Sequence, residues 1–294
     1  MEISDEELDS AAEMQIHHLN CGSLCPHGRR LINGDGGLLE RALSVCHCLA
    51  IESSDGLVLV DTGFGMEDAR NPGQLGAGFR VLMGPQPKVE TTALKQLEQL
   101  GFSASDVSHI AVTHLDLDHA GGLPDFPNAE VHVLAPELEA GLNPKLNERM
   151  RYIGGAHWTH SPRWAEHPAS GGDDWLGFES VRILPGLDVE VLLIPLIGHS
   201  RGHTGVAINT GDGWLLHCGD AYFNHGQVQT PPSCPPVLRF FQTAMAADNR
   251  ARKANLERLR ELSARHGDEV TLVCAHDPVE LEREQARARS AAAA

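Results

Sequence analysis

The sequence predicts an α+β fold in which two β-sheets are covered by helices. Short runs of β-branched and aliphatic residues recur along the chain, each bounded by Gly, Pro, Asp or Asn, as is typical of buried strands. These runs come in pairs or small groups and do not alternate strictly with helices, which favours two sheets over a single parallel sheet. The predicted strands are 44–51, 57–60, 109–113, 130–134, 189–195, 205–209, 214–218 and 270–275.

The helices are predicted from apolar spacing and stop signals. Apolar residues recur at helical spacing in 88–100 and in 251–265, and a glycine follows each segment, at Gly101 and Gly267. A last helix is expected from 278 to about 288. Because helices lie between some strands and at the end of the chain, we expect them to cover the outer faces of the sheets.

The 294 residues are expected to form one domain over 16–290, preceded by an extension over 1–15. Two segments show neither helical nor strand periodicity: 71–87 is rich in Gly and Pro, and 154–175 combines Gly and Pro with three Trp and three His. Loops of this length in a compact domain are usually functional, so both are predicted to be lid insertions. The alternative for 154–175 is a surface excursion whose tryptophans cover a small satellite core.

Composition and charge exclude several classes of partner. The chain has 40 acidic and 23 basic side chains and a formal charge of −17, which argues against nucleic acid. No apolar run approaches the roughly 20 residues of a membrane-spanning helix, so we expect no membrane partner. The acidic start does not resemble a secretory signal, and seven irregularly spaced cysteines fit a reducing compartment. We therefore expect a cytoplasmic protein, and the sequence leaves a homodimer open.

The segment 114–119 carries the clearest chemical signal in the chain. His114, Asp116, Asp118 and His119 lie within six residues and directly follow the predicted strand 109–113. Buried histidines and carboxylates are costly unless they are paired or bind a metal ion. In extended backbone, His114 and Asp116 would share one face. This density of ligand-type residues predicts metal binding.

Three later residues follow the same pattern, in which an apolar strand ends and a ligand-type residue comes soon after. They are His199, Asp220 and His276. Together with the four residues of 114–119 they make seven candidate ligands, whereas one tetrahedral metal needs three or four. The number predicts a dinuclear centre in which a carboxylate is shared.

These motifs resemble those of the metallo-β-lactamase-fold superfamily. The resemblance rests on five ordered segments and extends from about Ile16 to His276: Val-Leu-Val-Asp-Thr-Gly at 58–63, the His-x-Asp-x-Asp-His motif at 114–119, Gly-His-Ser at 198–200, Gly-Asp at 219–220, and a late strand ending in His276. It implies an αββα sandwich of two mixed sheets flanked by helices, with two divalent metal ions at one edge of the sheets.

The resemblance also implies which residue binds which metal. The seven ligands divide into His114, Asp116 and His199 for the first metal, Asp118, His119 and His276 for the second, and Asp220 as the bridge. Asp61 would orient a ligand histidine.

The sequence departs from the usual family motif at Asp116, where histidine is common. A carboxylate there adds negative charge, so zinc is expected while iron or manganese become alternatives. Alternatively, Asp116 turns away and the first site is weak or empty.

The expected reaction is hydrolysis of a small ester or lactone, of the acyl-homoserine-lactone kind, by a metal-bridged hydroxide. Asp118 would carry the proton to the leaving group. Tyr222 resembles a tyrosine that faces the substrate carbonyl in lactone-hydrolysing relatives, although it could equally be a packed aromatic. Likewise, His203 is either a residue near the metals or an ordinary loop residue.

The same residues leave other activities and sites open. The alternative activities are a thioesterase of the glyoxalase II type, a di-iron oxidoreductase of flavodiiron-like chemistry, and a non-catalytic binding module. Four cysteines are an alternative zinc site, although core packing is the default interpretation: Cys21, Cys25, Cys46 and Cys48.

Overall fold

The computed structural model describes residues 14–146, 148–149, 151–152, 157–183 and 188–291. Within these residues the strands form two mixed six-stranded sheets. The first sheet, in spatial order, contains β1 (Ile16–Leu24), β2 (Ser44–Ser53), β3 (Gly56–Val60), β4 (Val107–Ala111), β5 (Glu130–Leu134) and β6 (Arg163–His167). The second contains β7 (Asp173–Trp175), β8 (Phe178–Ile183), β9 (Val191–Pro195), β10 (Thr204–Asn209), β11 (Trp214–His217) and β12 (Val270–Val273).

Helices connect the strands and cover the sheets. The α-helices are α1 (Arg29–Ile32), α2 (Met66–Arg70), α3 (Ala77–Met83), α4 (Ala93–Gln99), α5 (Leu117–Ala120), α6 (Ala135–Leu142), α7 (Pro236–Met245), α8 (Asn249–His266) and α9 (Pro278–Ala291). Short 3-10 turns occupy Pro72–Leu75, Val89–Thr91, Ala104–Asp106, Leu123–Asp125 and His225–Gln227. Two mixed sheets flanked by helices confirm the predicted α+β class.

The strand β3 shows why apolar runs predicted buried strands. Its side chains alternate between two cores: Leu57 and Leu59 pack with α4, whereas Val58 and Val60 pack against the second sheet. Each residue is at most 1% exposed. Burial of such a side chain stabilises the fold by roughly 1.5–3 kcal/mol. A strand buried on both faces therefore has a continuous apolar sequence, without alternation.

The strand directions bring the candidate ligands to one region. In the first sheet β3 and β4 are parallel, with Val60 opposite Ala111, so Asp61 and the segment 114–119 leave the sheet at the same end. In the second sheet β11 and β12 are parallel, with His217 opposite Val273. Asp220 and His276 consequently also follow neighbouring strand ends, the usual place for a site in parallel sheets.

Both predicted lid segments contain regular structure that the sequence prediction missed. Within 154–175, β6 and β7 are edge strands of the two sheets, and Trp158 packs against the core of the first sheet. Within 71–87 lie a 3-10 turn and α3. Short, charged edge strands lack the apolar signal that identifies central ones. β1 and β8 were missed as well.

Residues 1–13 of the predicted extension and 154–156 of the second predicted lid lie outside the described residues. Among the residues that are described, the helices are all too short or too polar to cross a bilayer.

Candidate metal centre

Asp61 orients the centre from the end of β3. Its backbone φ is 56°, a left-handed conformation that costs a residue with a side chain some strain. The carboxylate accepts three hydrogen bonds, from the Thr113 backbone N and Oγ1, both at 2.7 Å, and from His119 Nδ1 at 2.8 Å. Because His119 Nδ1–H donates to Asp61, the Nε2 lone pair of His119 is directed into the centre. This matches the orienting role that was expected of Asp61.

Two other histidines of the centre, His114 and His276, are also held by a hydrogen bond on one ring nitrogen. Since Thr113 Oγ1 donates to Asp61, it accepts from His114 Nδ1 at 3.0 Å. His276 Nδ1 donates to the carbonyl of Val45 at 2.8 Å. In both rings the Nε2 lone pair is left for the centre, which is the arrangement that metal-binding histidines require.

Asp220 lies between two pairs of imidazoles. Its Oδ1 is 3.4 Å from His119 Nε2 and 3.1 Å from His276 Nε2. Its Oδ2 is 3.3 Å from His199 Nε2 and 3.8 Å from His114 Nε2. The two oxygens of one carboxylate thus face separate histidine pairs.

The atoms around Asp220 fit metal ions. Three groups of ligand atoms lie within 4.8 Å of one another: His114, Asp116 and His199; His114, His119 and Asp220; and Asp118, His119 and His276. Within the described parts of the chain, His114 Nε2, His119 Nε2 and Asp220 Oδ1 are buried without a hydrogen-bond partner. Ligands of a tetrahedral zinc ion lie about 3.3 Å apart. The spacing and the unpaired atoms are those of a site that holds cations.

The pKa shifts of Asp220 and His119 also fit a site that binds a cation. Burial opposes charge on Asp220, but the neighbouring imidazoles of His276, His119 and His199 hold the pKa of Asp220 well below its usual value. Burial likewise opposes charge on His119, but the carboxylates of Asp220 and Asp61 raise the pKa of His119 well above its usual value. Lone pairs that face one another at this distance repel unless a cation or proton lies between them.

Arg151 is a residue of the centre that the sequence did not indicate. Its Nη1 donates to Asp116 Oδ2 at 2.7 Å and to His199 Nε2 at 3.0 Å, and its Nη2 donates to the Met245 carbonyl. Burial opposes charge on Asp116, but Arg151 and then His114 hold the pKa of Asp116 well below its usual value. The carboxylate at the unusual motif position is therefore ionised and paired with a buried cation. Arg151 is distant in sequence from both Asp116 and His199, so no sequence motif indicates that they are paired.

Glu137, at the start of α6, holds two ligand loops together. Its fully buried carboxylate accepts from the backbone N of Leu115 at 3.0 Å and of Gly202 at 2.9 Å, and from Ser200 Oγ at 2.6 Å. His114 and His199 are neighbours of these residues, so Glu137 sets the distance between the two loops. Sequence reasoning missed it because a lone glutamate at a helix start has no distinctive spacing.

His203 positions Asp220. Its Nδ1 donates to the Leu196 carbonyl at 3.1 Å, and its Nε2 accepts from the backbone N of Asp220 at 2.8 Å. Burial lowers the pKa of His203 well below its usual value, in keeping with a neutral ring that accepts on one side. Gly219, with φ at 51°, allows this approach, because a Cβ there would lie 2.7 Å from His203 Nε2. Of the two interpretations for His203, the structure supports a residue that contacts the candidate ligands, since it holds the backbone of Asp220.

The structure corrects the expectation for Tyr222. This residue is fully buried in the core between the second sheet and α8, and its hydroxyl donates to Glu280 at 3.0 Å. Burial raises the pKa of Glu280 to about 7. A hydroxyl engaged by a buried carboxyl group does not face a substrate carbonyl, so Tyr222 is a packed aromatic residue.

The cysteines behave as the default interpretation expected. Cys21, Cys46 and Cys48 are buried among core residues, and Cys25 is partly exposed. Within the described residues, the groups of ligand atoms close enough to share a metal contain no cysteine.

An open cleft adjoins the centre. Phe223 stacks on His276 with ring centroids 5.0 Å apart, and it also forms part of the cleft wall together with Asp277. The cleft has a volume of about 240 Å³. Its apolar lining comes from Ile32, Leu43, Leu238 and Val279 as well as Phe223. His225, for which the sequence suggested no role, lines the same cleft and hydrogen-bonds Asp277 at 2.7 Å.

Comparison with known proteins identifies the protein family. Residues 41–265 match the family model of the metallo-beta-lactamase superfamily. The chain belongs to this superfamily, and its fold is the metallo-β-lactamase fold, as the motifs implied.

Two relatives with similar sequences are described as a metallo-hydrolase and a lactonase. A protein of Mycobacterium tuberculosis described as a probable metallo-hydrolase is 41% identical over 266 residues, which cover 90% of this chain and 81% of the relative. The N-acyl homoserine lactonase AiiA of Bacillus thuringiensis subsp. kurstaki is 30% identical over 166 residues, 55% of this chain and 58% of the relative. The chain is accordingly a metal-dependent hydrolase of this superfamily.

Solved structures agree on the fold. An N-acyl homoserine lactone hydrolase, solved with N-hexanoyl-L-homoserine at its catalytic metal centre, has a TM-score of 0.65 at 21% identity, covering 92% of this chain and 95% of its own. AidC, described as a dizinc quorum-quenching lactonase, has a TM-score of 0.62 at 16% identity, covering 90% of this chain and 88% of its own.

Proposed function

We propose that this protein is a dinuclear metallohydrolase that opens small lactones or carboxylic esters. The observation that carries the proposal is Asp220, whose two oxygens face separate histidine pairs at 3.1–3.8 Å. One carboxylate in that position can neutralise and space two cations at once. The lactonases among its relatives and structural neighbours favour the same substrate class.

Each cation would have its own ligands. His114, Asp116 and His199 form the first ligand group, and Asp118, His119 and His276 form the second. When bound, two divalent ions supply an acidic water and polarise a carbonyl oxygen. Zinc is the metal we propose, because imidazole and carboxylate ligands at this spacing suit it.

The protein's own residues would contribute orientation and proton transfer. Asp61 and the Val45 carbonyl fix the rings of His119 and His276, so that these ligands need no reorganisation during turnover. Asp118, with its Oδ2 3.5 Å from His276 Nε2 and 8% of its surface exposed, is placed to pass a proton to the departing alcohol oxygen. The cleft beside Phe223 has both apolar and polar walls, and its apolar side chains would receive the acyl part of the substrate.

Arg151 compensates the charge of the unusual motif residue. Asp116 adds one negative charge where the family commonly has neutral histidine, and Arg151 returns one positive charge at 2.7 Å. The guanidinium also donates to His199, so it contacts two members of the first ligand group. We infer that it competes with a metal for them, and that the first site is weaker than the second.

The decisive experiment combines metal analysis with a substrate panel. The purified protein is expected to hold two divalent ions and to hydrolyse lactones and aryl esters faster than thioesters and phosphodiesters. Asp220→Ala should lower turnover by more than about 100-fold, because the loss of a residue that only orients a ligand already costs 10–100-fold in activity or metal affinity. The same variant should hold one metal ion or none.

The control for this variant is Asp212→Asn, an exposed carboxylate in the turn between β10 and β11, which should change neither quantity. Unchanged turnover and metal content in Asp220→Ala would overturn the dinuclear assignment. Faster thioester hydrolysis would overturn the substrate class in favour of the thioesterase. Iron absorbance with oxygen consumption and no hydrolysis would instead support the di-iron oxidoreductase.

A further inference from the structure

Three histidines and a glutamate lie side by side on the inner face of the first sheet, apart from the centre around Asp220. They are His109 on β4, Glu130 and His132 on β5, and His167 on β6. The parallel register pairs His109 with Glu130 and Ala111 with His132, so the side chains of both pairs point to the same face. The sequence analysis assigned none of them a role.

The spacing of three of these side chains suits one metal ion. His109 Nδ1 lies 3.0 Å from His132 Nε2 and 3.7 Å from Glu130 Oε2, and all three ligand atoms lie within 4.8 Å of one another. Ligands of a tetrahedral zinc ion are about 3.3 Å apart, between these two values. A cation could therefore be bound with small side-chain movements.

His167 holds the buried ring of this group. Its Nε2 lies 3.0 Å from His132 Nδ1, and the two rings stack with centroids 5.2 Å apart. If His132 donates its Nδ1 proton to His167, the Nε2 lone pair of His132 faces His109 and Glu130. A ligand histidine typically donates its second ring nitrogen in this way.

The group is anchored and yet open to solvent. His132 is 4% exposed, whereas the side chains of His109 and Glu130 are 21% and 37% exposed. An ion could enter from the exposed side and keep one water as its fourth ligand. Glu130 would supply the negative charge that a divalent ion needs.

We propose that His109, Glu130 and His132 form a peripheral metal site for a zinc-like divalent cation, with His167 as the positioning residue. The site shares no ligand with the groups around Asp220. A bound ion would link β4 to β5, and through His167 it would tie in the edge strand β6. The role is structural, and the proposal does not depend on hydrolysis.

The competing interpretation is a row of neutral imidazoles that only pass hydrogen bonds along the sheet. His109 Nδ1 would then donate to His132 Nε2, and His132 Nδ1 to His167 Nε2. Both interpretations use the same distances, so a titration with metal must decide between them.

The experiment uses the purified full chain with its main centre loaded and excess metal removed. Titration calorimetry with zinc sulfate is expected to show one further ion bound per chain. His109→Gln and Glu130→Gln should each weaken this binding by at least tenfold while hydrolysis stays unchanged. His167→Leu should weaken it by roughly 10–100-fold, as expected for the loss of an orienting partner.

The matched control is His17→Gln. His17 Nε2 lies 2.7 Å from Glu52 on the same sheet, but the described residues offer this pair no third ligand. This variant should retain the additional ion. Cobalt added in place of zinc should give the visible absorption of a tetrahedral complex in the wild type and in His17→Gln alone.

The proposal fails if the wild type binds no more zinc than His109→Gln, or if His17→Gln loses the same ion. Circular dichroism checks that each variant is folded. If His109→Gln does not fold, the Glu130→Gln variant decides the question. The Glu130 side chain is 37% exposed, so removing its charge while keeping its size should not disturb the core.

Discussion

The two proposed ligand groups on either side of Asp220 are supported differently. In the second ligand group, His119 and His276 each donate a ring proton to a fixed acceptor, the Asp61 carboxylate and the Val45 carbonyl. In the first ligand group, His199 Nδ1 has no partner among the described residues, and its Nε2 accepts from Arg151. Both histidines of the second group are oriented by an acceptor, whereas in the first group only His114 has one, Thr113 Oγ1. Arg151 instead contacts the other two members of the first group. The comparison predicts unequal metal affinities.

Among the variants that test this comparison, Asp61→Asn is expected to change metal affinity most, because it removes the carboxylate that orients His119. His119 would lose its charged acceptor, and metal affinity at the second site should fall by roughly 10–100-fold. Competition with a coloured chelator measures the two affinities separately. Asp35→Asn, an exposed carboxylate paired with Arg29, serves as the control. Asp61 contacts the second group directly and reaches the first group only through Thr113 Oγ1. Equal weakening of both sites would therefore contradict a larger role of Asp61 at the second site.

Arg151→Met is expected to raise metal affinity, by less than Asp61→Asn lowers it. This change removes the cation from Asp116 and His199 while keeping much of the side-chain volume. First-site affinity should rise by about tenfold, the equivalent of one charge-assisted hydrogen bond at about 1.4 kcal/mol. Arg258→Met, which alters an arginine packed over Phe178, is the matched control. If first-site affinity falls in Arg151→Met, the guanidinium supports metal binding and does not compete with it.

The smallest effect on hydrolysis is expected from Tyr222→Phe. The hydroxyl donates to Glu280, so its removal should change kcat and KM less than about twofold and lower the free energy of unfolding by about 1 kcal/mol. Steady-state kinetics and urea unfolding measure the two quantities. A loss of kcat of tenfold or more at normal stability would mean that Tyr222 contacts the substrate after all.

The strands and the ligand motif were predictable because local sequence carries their signal. Apolar runs such as β3 are buried on both faces, and the four ligand-type residues of 114–119 are too dense to be accidental. The edge strands β6 and β7 were missed because one exposed face and few apolar residues make them resemble loops. Glu137 and Arg151 were missed for a different reason, since each acts through partners that lie far away in the sequence.

The sequence by itself determined the class of the fold, the seven candidate ligands and the replacement of histidine by Asp116, because these depend on residue type and short-range spacing. Only the tertiary structure decided that Asp220 faces two histidine pairs, that Tyr222 is turned toward Glu280, and that Arg151 is paired with Asp116. These last properties arise from side chains that meet across different strands and loops. Their distances follow from packing of the whole domain, which no local pattern encodes.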